Sequence, residues 1–584
     1  MKKKNYKNLI TTGLKELNAR KDDLFLGEWC LTDSRFKKKN KLEVCNYHFN
    51  QKNKIKKNHR YLMILYKRIL PAVAASLNKY HKQKKSKKYW EIIVGPTLVQ
   101  LLSILWDRWE TIDSTLKEYK INQVPILNYS STSFITQDFY DLFFDKMNTH
   151  FWNNCIFSEI IKNNFKVKIV KIKNNKIKIK KRLLNHWSKN QKLKKFRSKR
   201  SNISKFIFFD ENFNKLNLLE FGLSQKGYFT EDSIFMKKID LSKDIGERNI
   251  IINFQTKNTF EKSIVKQIVN FFPISHLEGM NKIRSFIKKV EIKSKYIFTT
   301  YGHINNDLFK VWLANKIDSK KSKLIIAHHG GTVEKVVNYN SWENISDKLI
   351  GWERNTKKRD YIQLNPIFLC KETSVIKNFT NLLKNFTKPF FKKKILFLTT
   401  SSSLYTYRLE DRILSSQMKL TLNFWKIFFN KLPTNIKNEI QIRNNPKFDP
   451  WNLKKDLNFF FKKDVCSNFK NINTDIYRSK ILINTSMSTT FFQSMYSEIP
   501  TILLLKEDLW NLSLDGKKIY NILKKNKVIF TNPKLLVNHL IQINKNPVIW
   551  WDNEKTLKAR SLFKKQFMKN GTFDNWCKYF GSLN

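Results

Sequence analysis

Residues 295–331 read KYIFTTYGHINNDLFKVWLANKIDSKKSKLIIAHHGG, and three elements follow one another in that run. The β-branched and aromatic stretch 295–300 predicts a strand. The apolar spacing from Asn306 to Ile317 predicts an amphipathic helix, and KLIIA at 323–327 predicts a second, buried strand. DKLIGW at 347–352 supplies a further strand. Strand, helix and strand at this spacing define parallel β-α-β units, and so an α/β fold.

The same pattern restarts further on. KILFLT at 394–399 leads into a Ser/Thr loop at 399–403 and a helix at 416–431. Strands follow at 439–443 and 480–484, then a hydroxyl-rich turn at 485–490, a helix at 490–497 and a strand at 500–505. The basic, polar stretch 373–393 between the two series reads as a linker. The expected division is therefore residues 1–372, a linker at 373–393, a second α/β unit at 394–555 and a closing helical segment at 556–584.

Toward the N-terminus, 23–31 predicts a short buried strand running into a loop. Residues 60–82 predict a helix bent or broken at Pro71, and a further helix runs from Gly95 to about Tyr119. The most apolar stretch, Ile92 to Trp106, falls short of the roughly 20 residues a spanning helix needs, so it is expected to be a buried core segment. The Lys/Asn-rich tract 165–205 reads as a basic, exposed insertion.

With 110 Lys+Arg against 48 Asp+Glu among 584 residues, the formal charge is +62. At 41% hydrophobic and 14% aromatic the chain can bury large cores, which excludes wholesale disorder. Lys, Asn, Ile and Phe are abundant together, the pattern of compositional drift, so the charge alone does not define a nucleic-acid-binding face. Six scattered cysteines without a C-x-x-C pair read as reduced thiols of a cytoplasmic protein, with no zinc site. The first residues lack a signal peptide's apolar region. No Walker loop, dinucleotide fingerprint or nucleophile elbow is present.

In an open parallel sheet, ligands sit beyond the carboxyl ends of the strands. One candidate there is His328-His329-Gly330-Gly331: glycines permit a tight turn, and an imidazole can take a proton or hydrogen-bond a phosphate. The other is Asn484 to Thr490, where Ser486, Ser488, Thr489 and Thr490 precede or open a helix whose N-terminus suits a phosphate. Ordinary helix capping would use the same residue types. Arg443 at a strand end can fork onto a diphosphate or pair with a carboxylate, and Glu343 can orient a nearby imidazole.

A longer series of motifs then stands in order: Leu26-Gly27-Glu28-Trp29-Cys30, Leu77-Asn78 with His81, Tyr89-Trp90, Gly95-Pro96, Asp107-Arg108-Trp109, His329-Gly330-Gly331, Glu343, Trp352, Ile442-Arg443, Thr489-Thr490-Phe491, Pro500-Thr501-Ile502, Trp550-Trp551 and Arg560 with Phe563. This series resembles the transferases encoded in bacterial O-antigen and other surface-polysaccharide clusters. It is more distantly similar to capsule-polysaccharide sugar transferases and CDP-glycerol glycerophosphotransferases. The resemblance implies a GT-B-like architecture, with two Rossmann-like domains facing across a cleft, a helical N-terminal region and the basic insertion. It implies a nucleotide-activated sugar donor and a glycan or lipid-linked acceptor, without metal or other cofactor.

On that reading His329 is the base, with Glu343 orienting it and Glu28 the alternative base. The hydroxyl loop and Arg443 hold the donor phosphates. The implied location is the cytoplasm, with any contact to an anionic membrane peripheral and at its inner face. A polyol-phosphate transferase on the same scaffold and a basic nucleic-acid-binding protein are the other readings. The chain departs from the family at Thr332-Val333-Glu334, after the glycine pair, and at Asn444-Asn445-Pro446, after Arg443.

Overall fold

The computed structural model describes residues 4–32, 42–173, 203–210, 248–328, 344–352, 360–367 and 394–583, apart from isolated positions and short breaks at 410–412, 446–447 and 468–471. Gly330 and a few positions between 213 and 241 are also described. His329, Gly331, Glu343, the 373–393 linker and the middle of the 165–205 tract lie outside the described residues.

Three parallel sheets organise these residues. In the first, β1 (Asn5–Ile10), β2 (Leu24–Phe25), β3 (Lys120–Leu127) and β4 (Lys168–Ile172) pair in the order β2-β1-β3-β4. The second follows chain order: β5 (Ile203–Phe209), β6 (Lys293–Thr299), β7 (Lys323–Ala327), β8 (Lys348–Gly351) and β9 (Tyr361–Gln363). The third contains β10 (Lys394–Leu398), β11 (Ile440–Arg443), β12 (Ser479–Asn484), β13 (Thr501–Leu504) and β14 (Ile529–Phe530), in the order β11-β10-β12-β13-β14. Sheets two and three are the Rossmann-like pair of the GT-B-like arrangement. The helical N-terminal region adds the first sheet, so residues 1–372 hold two sheets where one domain was expected. The 165–205 tract likewise holds β4 and the start of β5 at its ends.

Two long helices, Lys54–Tyr80 and Lys87–Glu118, connect β2 to β3 and pack on each other. Of the bend or break expected at Pro71, the break does not occur: one helix runs from Lys54 to Tyr80. Pro71 and Lys67, whose carbonyl loses its helical N–H partner, both lie on the exposed side, where water can replace the bond. Helix Lys87–Glu118 is long and apolar enough to cross a membrane, yet 94% of its most apolar window is buried inside the chain, which makes it the core helix expected at 92–106. Its start is capped by Ser86, whose Oγ accepts from Tyr89 N–H. Asn78, His81 and Trp90 hold the turn between the two helices. Trp90 Nε1 donates to Asn78 Oδ1 at 2.8 Å, and His81 stacks on Trp90 with centroids 5.4 Å apart.

The N-terminal region touches both other sheets. Toward the third, Arg108 is fully buried and donates to Asp107 Oδ2 (2.6 Å), to the Thr406 carbonyl (2.6 Å) and to Asn153 Oδ1 (2.7 Å). Tyr47 O–H donates to Asp107 Oδ1 at 2.6 Å and lies 2.5 Å from Thr406 Oγ1. Burial alone would raise the Asp107 carboxyl; His48 and Arg108 outweigh it and hold it below the usual range.

Toward the second sheet, Asp307 accepts from Phe139 N–H (3.0 Å) and Ser275 Oγ (2.5 Å), and its other oxygen meets Lys310 Nζ at 2.5 Å. Asp138 lies beside it. Burial, together with the Asp307 charge, pushes the Asp138 carboxyl up to about 7, while Lys310 and His276 overcome burial at Asp307 and hold it well below the usual range. An unfolded Asp loses its proton near pH 4, so between about pH 4 and 7 the folded chain binds more protons at Asp138 and stability falls as pH rises. Asp307 stays ionised through that window and adds no slope there. Asp138→Asn is therefore expected to raise the melting temperature at about pH 8 and change it little at about pH 4. An equal loss at both pH values would assign Asp138 a plain hydrogen-bonding role.

The chain's end bridges sheets three and two. Helix Glu554–Phe567 puts Phe563 against Phe491, centroids 5.5 Å apart, and its Arg560 stacks on Trp551 and pairs with Glu498. The final helix, Asp574–Gly581, then seats Trp576 and Phe580 against Phe206, Phe208 and Phe298 of the second sheet.

Candidate active site

Strand order in the third sheet reverses at β10: β11 lies on one side of it and β12 on the other. That is the switch point at which loops diverge and leave a crevice. Thr399–Ser403 leaves β10 there and Thr485–Ser488 leaves β12. Thr485 Oγ1 donates to the Leu398 carbonyl at 2.8 Å and ties the second loop to the first strand. Asn484 Nδ2 donates to Ser494 Oγ at 3.2 Å, fixing the strand end against the helix Thr489–Tyr496.

Ser488 occupies the N-cap position with extended backbone but makes no capping bond through its side chain; its hydroxyl accepts from Ser486 Oγ at 3.0 Å. Phe491, Phe492 and Met495 anchor the buried side of the helix, so Thr489 and Thr490 sit on its first turn with a fixed direction.

From the second sheet, the loop after β7 reaches the same helix. A Cβ built on Gly330 would lie 2.9 Å from Thr489 Oγ1, closer than side-chain contacts allow. A side chain at position 330 would therefore make the Thr489 hydroxyl or the loop give way where these two units meet. This contact brings the glycine turn and the hydroxyl loop, 159 positions apart by their numbers (489 − 330), into one site. Gly330→Ala is expected to push the loops apart and lower turnover on the order of 10²-fold, while the melting temperature stays close to the parent's. Unchanged turnover would mean the close approach is not used in catalysis.

Of the two histidines, His328 is described. His328 N–H donates to the Ile350 carbonyl at 2.9 Å, and its ring packs edge-on to Trp352 at 5.5 Å and Tyr361 at 6.4 Å. It belongs to an aromatic corner behind the turn.

Arg443 is buried at the end of β11. Its Nη1 donates to Asp475 Oδ2 at 2.7 Å, and Asp475 Oδ1 accepts from Ser467 Oγ at 2.6 Å. One side of the guanidinium is thus committed to a carboxylate, as in the ion pair weighed from sequence. Asn444, one of the family departures, accepts from Thr399 Oγ1 at 2.6 Å and links the β11 and β10 loops.

Glu28 stands beyond the carboxyl end of β2, and its N–H donates to Ser416 Oγ at 3.0 Å, just ahead of helix Gln417–Lys431. Burial raises its carboxyl and Lys419 partly opposes this. Among the described residues no hydrogen bond connects Glu28 with Gly330 or the hydroxyl loop, so it defines a second wall, where the first sheet meets the third.

His150, absent from the sequence reading, stands near that wall. Gly13 N–H donates to its Nδ1 at 3.3 Å, which makes Nδ1 the acceptor for Tyr405 O–H at 2.7 Å and leaves the proton on Nε2, facing Thr32 Oγ1 at 3.2 Å. A lone His at a helix start gives no sequence signal. The described cysteines are all buried free thiols, and no group of three His, Cys, Asp or Glu able to hold a metal occurs among the described residues.

Two five-stranded parallel sheets, with Gly330 after β7 of one close to the helix start Thr489–Tyr496 of the other and a terminal helix crossing back, give the α/β frame of this candidate site. The chain belongs to the LIC12162 family of transferases, whose model matches residues 7–580. No curated protein matches it.

Among solved structures it is similar to the wall teichoic acid polymerase TagF, at 11% identity over 68% of this chain and 94% of that one, with a TM-score of 0.33. It is also similar to S. aureus MnaA solved with UDP, at 11% identity over 65% and 98% of the two chains and a TM-score of 0.35. A third is the UDP-forming trehalose-phosphate synthase of Burkholderia vietnamiensis, at 9% identity over 65% and 97%, with a TM-score of 0.33. These likenesses are coarse, and no residue role passes across them.

Proposed function

We propose that the chain is a nucleotide-sugar-dependent glycosyltransferase of surface-carbohydrate assembly, acting on a glycan or lipid-linked acceptor. The observation that carries this reading is the approach of Gly330 to Thr489, which puts a turn with an adjacent histidine against a phosphate-suited helix start. Ser486, Ser488, Thr489 and Thr490 hold the donor phosphates, and Arg443 lends positive charge from behind. Charge developing on the leaving nucleotide is borne by backbone dipoles and side-chain donors rather than by a metal. His329 takes the acceptor proton, Gly330 and Gly331 give it room, and Glu343 orients it; Glu28 is the other base in reach of an acceptor bound along the second wall.

The test begins with thermal shifts at physiological salt using CMP, CDP, UDP, GDP and dTDP. A ligand at about 100 times its dissociation constant stabilises the native state by about 2.7 kcal/mol. A selective shift names the donor, and turnover with the matching sugar nucleotide should persist in EDTA. A product joined by a phosphodiester would make the enzyme a polyol-phosphate transferase. No nucleotide shift, with salt-sensitive oligonucleotide binding, would overturn both readings.

A further inference from the structure

Helices Gln417–Lys431 and Pro533–Ile543 pack on each other in the third-sheet unit, and Pro547–Trp551 follows the second of them. Their inner faces are filled: Trp425, Phe428, Phe429, Leu536, Leu540 and Trp551 are buried in the core. The outer faces are apolar as well. Leu420 is 37% exposed, Ile427 49%, Leu535 57%, Ile541 51%, Val548 50% and Ile549 71%. No core remains for these six side chains to fill, and carrying them in water is unfavourable unless something covers them.

The charges carried by these segments themselves have one sign. Neither 417–431 nor 531–551 contains an Asp or Glu, whereas Lys419, Lys431, Lys534 and Lys545 are exposed there. The acids next to them are engaged by other cations: Asp552 faces Arg560 at 3.4 Å, and Glu439, which accepts from Asn544 Nδ2 at 3.0 Å, pairs with Lys480 at 2.9 Å. Apolar side chains interspersed with exposed lysines, on segments that carry no acid of their own, complement a surface that is negative outside and apolar beneath. A bilayer with anionic headgroups has that structure, and a nucleic acid, charged but without an accessible apolar layer, does not.

We infer that this face docks on an anionic lipid bilayer, with Leu420, Ile427, Leu535, Ile541, Val548 and Ile549 at the acyl boundary and the four lysines among the headgroups. The position is useful. Helix Gln417–Lys431 starts at Ser416, whose Oγ receives the Glu28 N–H, so the docked surface begins beside the second wall of the site. An acceptor carried on a lipid would arrive there with its head near Glu28. The docking itself does not depend on what is transferred.

The experiment is co-sedimentation of the full chain with vesicles of phosphatidylcholine containing about a third phosphatidylglycerol, against phosphatidylcholine alone. Binding is expected on the anionic vesicles and should weaken with salt. Replacing Lys419, Lys431, Lys534 and Lys545 by Gln should lower partitioning on the order of 10²–10³-fold, at about fivefold per lysine. Val548→Ser with Ile549→Ser should lower it about tenfold with the four lysines intact. Replacing Lys56, Lys57, Lys67 and Lys79, exposed on helix Lys54–Tyr80, by Gln should leave it within a few-fold.

Absence of vesicle binding would overturn the inference. So would equal loss in both lysine sets, since the charge would then act without regard to place. Self-association abolished by Ile549→Ser in a chain that ignores vesicles would assign the face to a second copy instead. None of these readouts uses turnover, so failure here leaves the transferase reading standing, and the reverse holds too.

Discussion

Arg108→Ala should cost about 3–5 kcal/mol of stability, the largest single-residue effect expected on the fold. The guanidinium is fully buried and satisfies Asp107, the Thr406 carbonyl and Asn153 together. Removing it strands the Asp107 carboxylate in the interior with only His48 and Tyr47 as partners. It also removes one of the ties between the N-terminal region and the 404–407 segment of the third-sheet unit, beside those of Tyr47 and His150. Lysine should not rescue, because one ammonium cannot reproduce the planar fork that reaches Asn153 Oδ1 through two nitrogens. Thr406→Val, which keeps the carbonyl and loses only the hydroxyl contact with Tyr47, should cost about 1 kcal/mol. Urea midpoints followed by far-UV and near-UV signals would measure all three. An Arg108→Ala loss no larger than that of Thr406→Val would show that the buried charges are not coupled as described.

Much of this frame is readable from residues alone, and the parts that are not have physical reasons. KLIIA, KILFL and KILIN announce strands because they are continuous apolar runs bounded by turn residues, as central parallel strands must be. The first sheet is hidden by composition. NYKNLI and KIVKI interrupt their apolar residues with Lys or Asn, the residue types that fill the neighbouring tracts, so β1 and β4 do not stand out. KINQVPIL carries Pro125, which argues against a central strand. It is tolerated because the recorded pairing of β3 with β1 ends at Gln123, leaving Pro125 paired with β4 alone.

The hydroxyl loop and Gly330 were legible as separate candidates, and so was the strand-end position of Arg443. Their relation was not. The proximity of Gly330 to Thr489, like that of Arg443 to Asp475, follows from how distant segments stack and leaves no local pattern. The motif residues Asn78, His81, Trp90, Asp107, Arg108, Trp551 and Arg560 have partners inside the fold, which accounts for them by packing and leaves the chemistry to the strand-end loops.

The chemistry is where the second large effect belongs. His329→Ala is expected to lower kcat about 10²–10⁴-fold, the usual worth of a positioned general base, with the melting temperature unchanged. His328 is fixed in the Trp352 and Tyr361 corner, and Gly330 is pressed on Thr489. His329 stands between these two in sequence, which is the ground for expecting it to act on the acceptor. An imidazole base must be neutral to accept the acceptor's proton, so kcat/KM of the parent should fall on the acid side, and that limb should vanish in the alanine variant.

Glu28→Gln is the discriminating partner. Burial raises the Glu28 carboxyl from the ordinary carboxylate value, with Lys419 pulling the other way, so a limb owned by Glu28 would mark the loss of a carboxylate as pH falls. It would survive in His329→Ala and disappear in Glu28→Gln. If His329→Ala retains near-parent turnover and Glu28→Gln loses it, the base belongs to the wall between the first and third sheets. The glycine turn would then serve the donor phosphate, and the acceptor would enter from the side where the lysine-bearing helix begins.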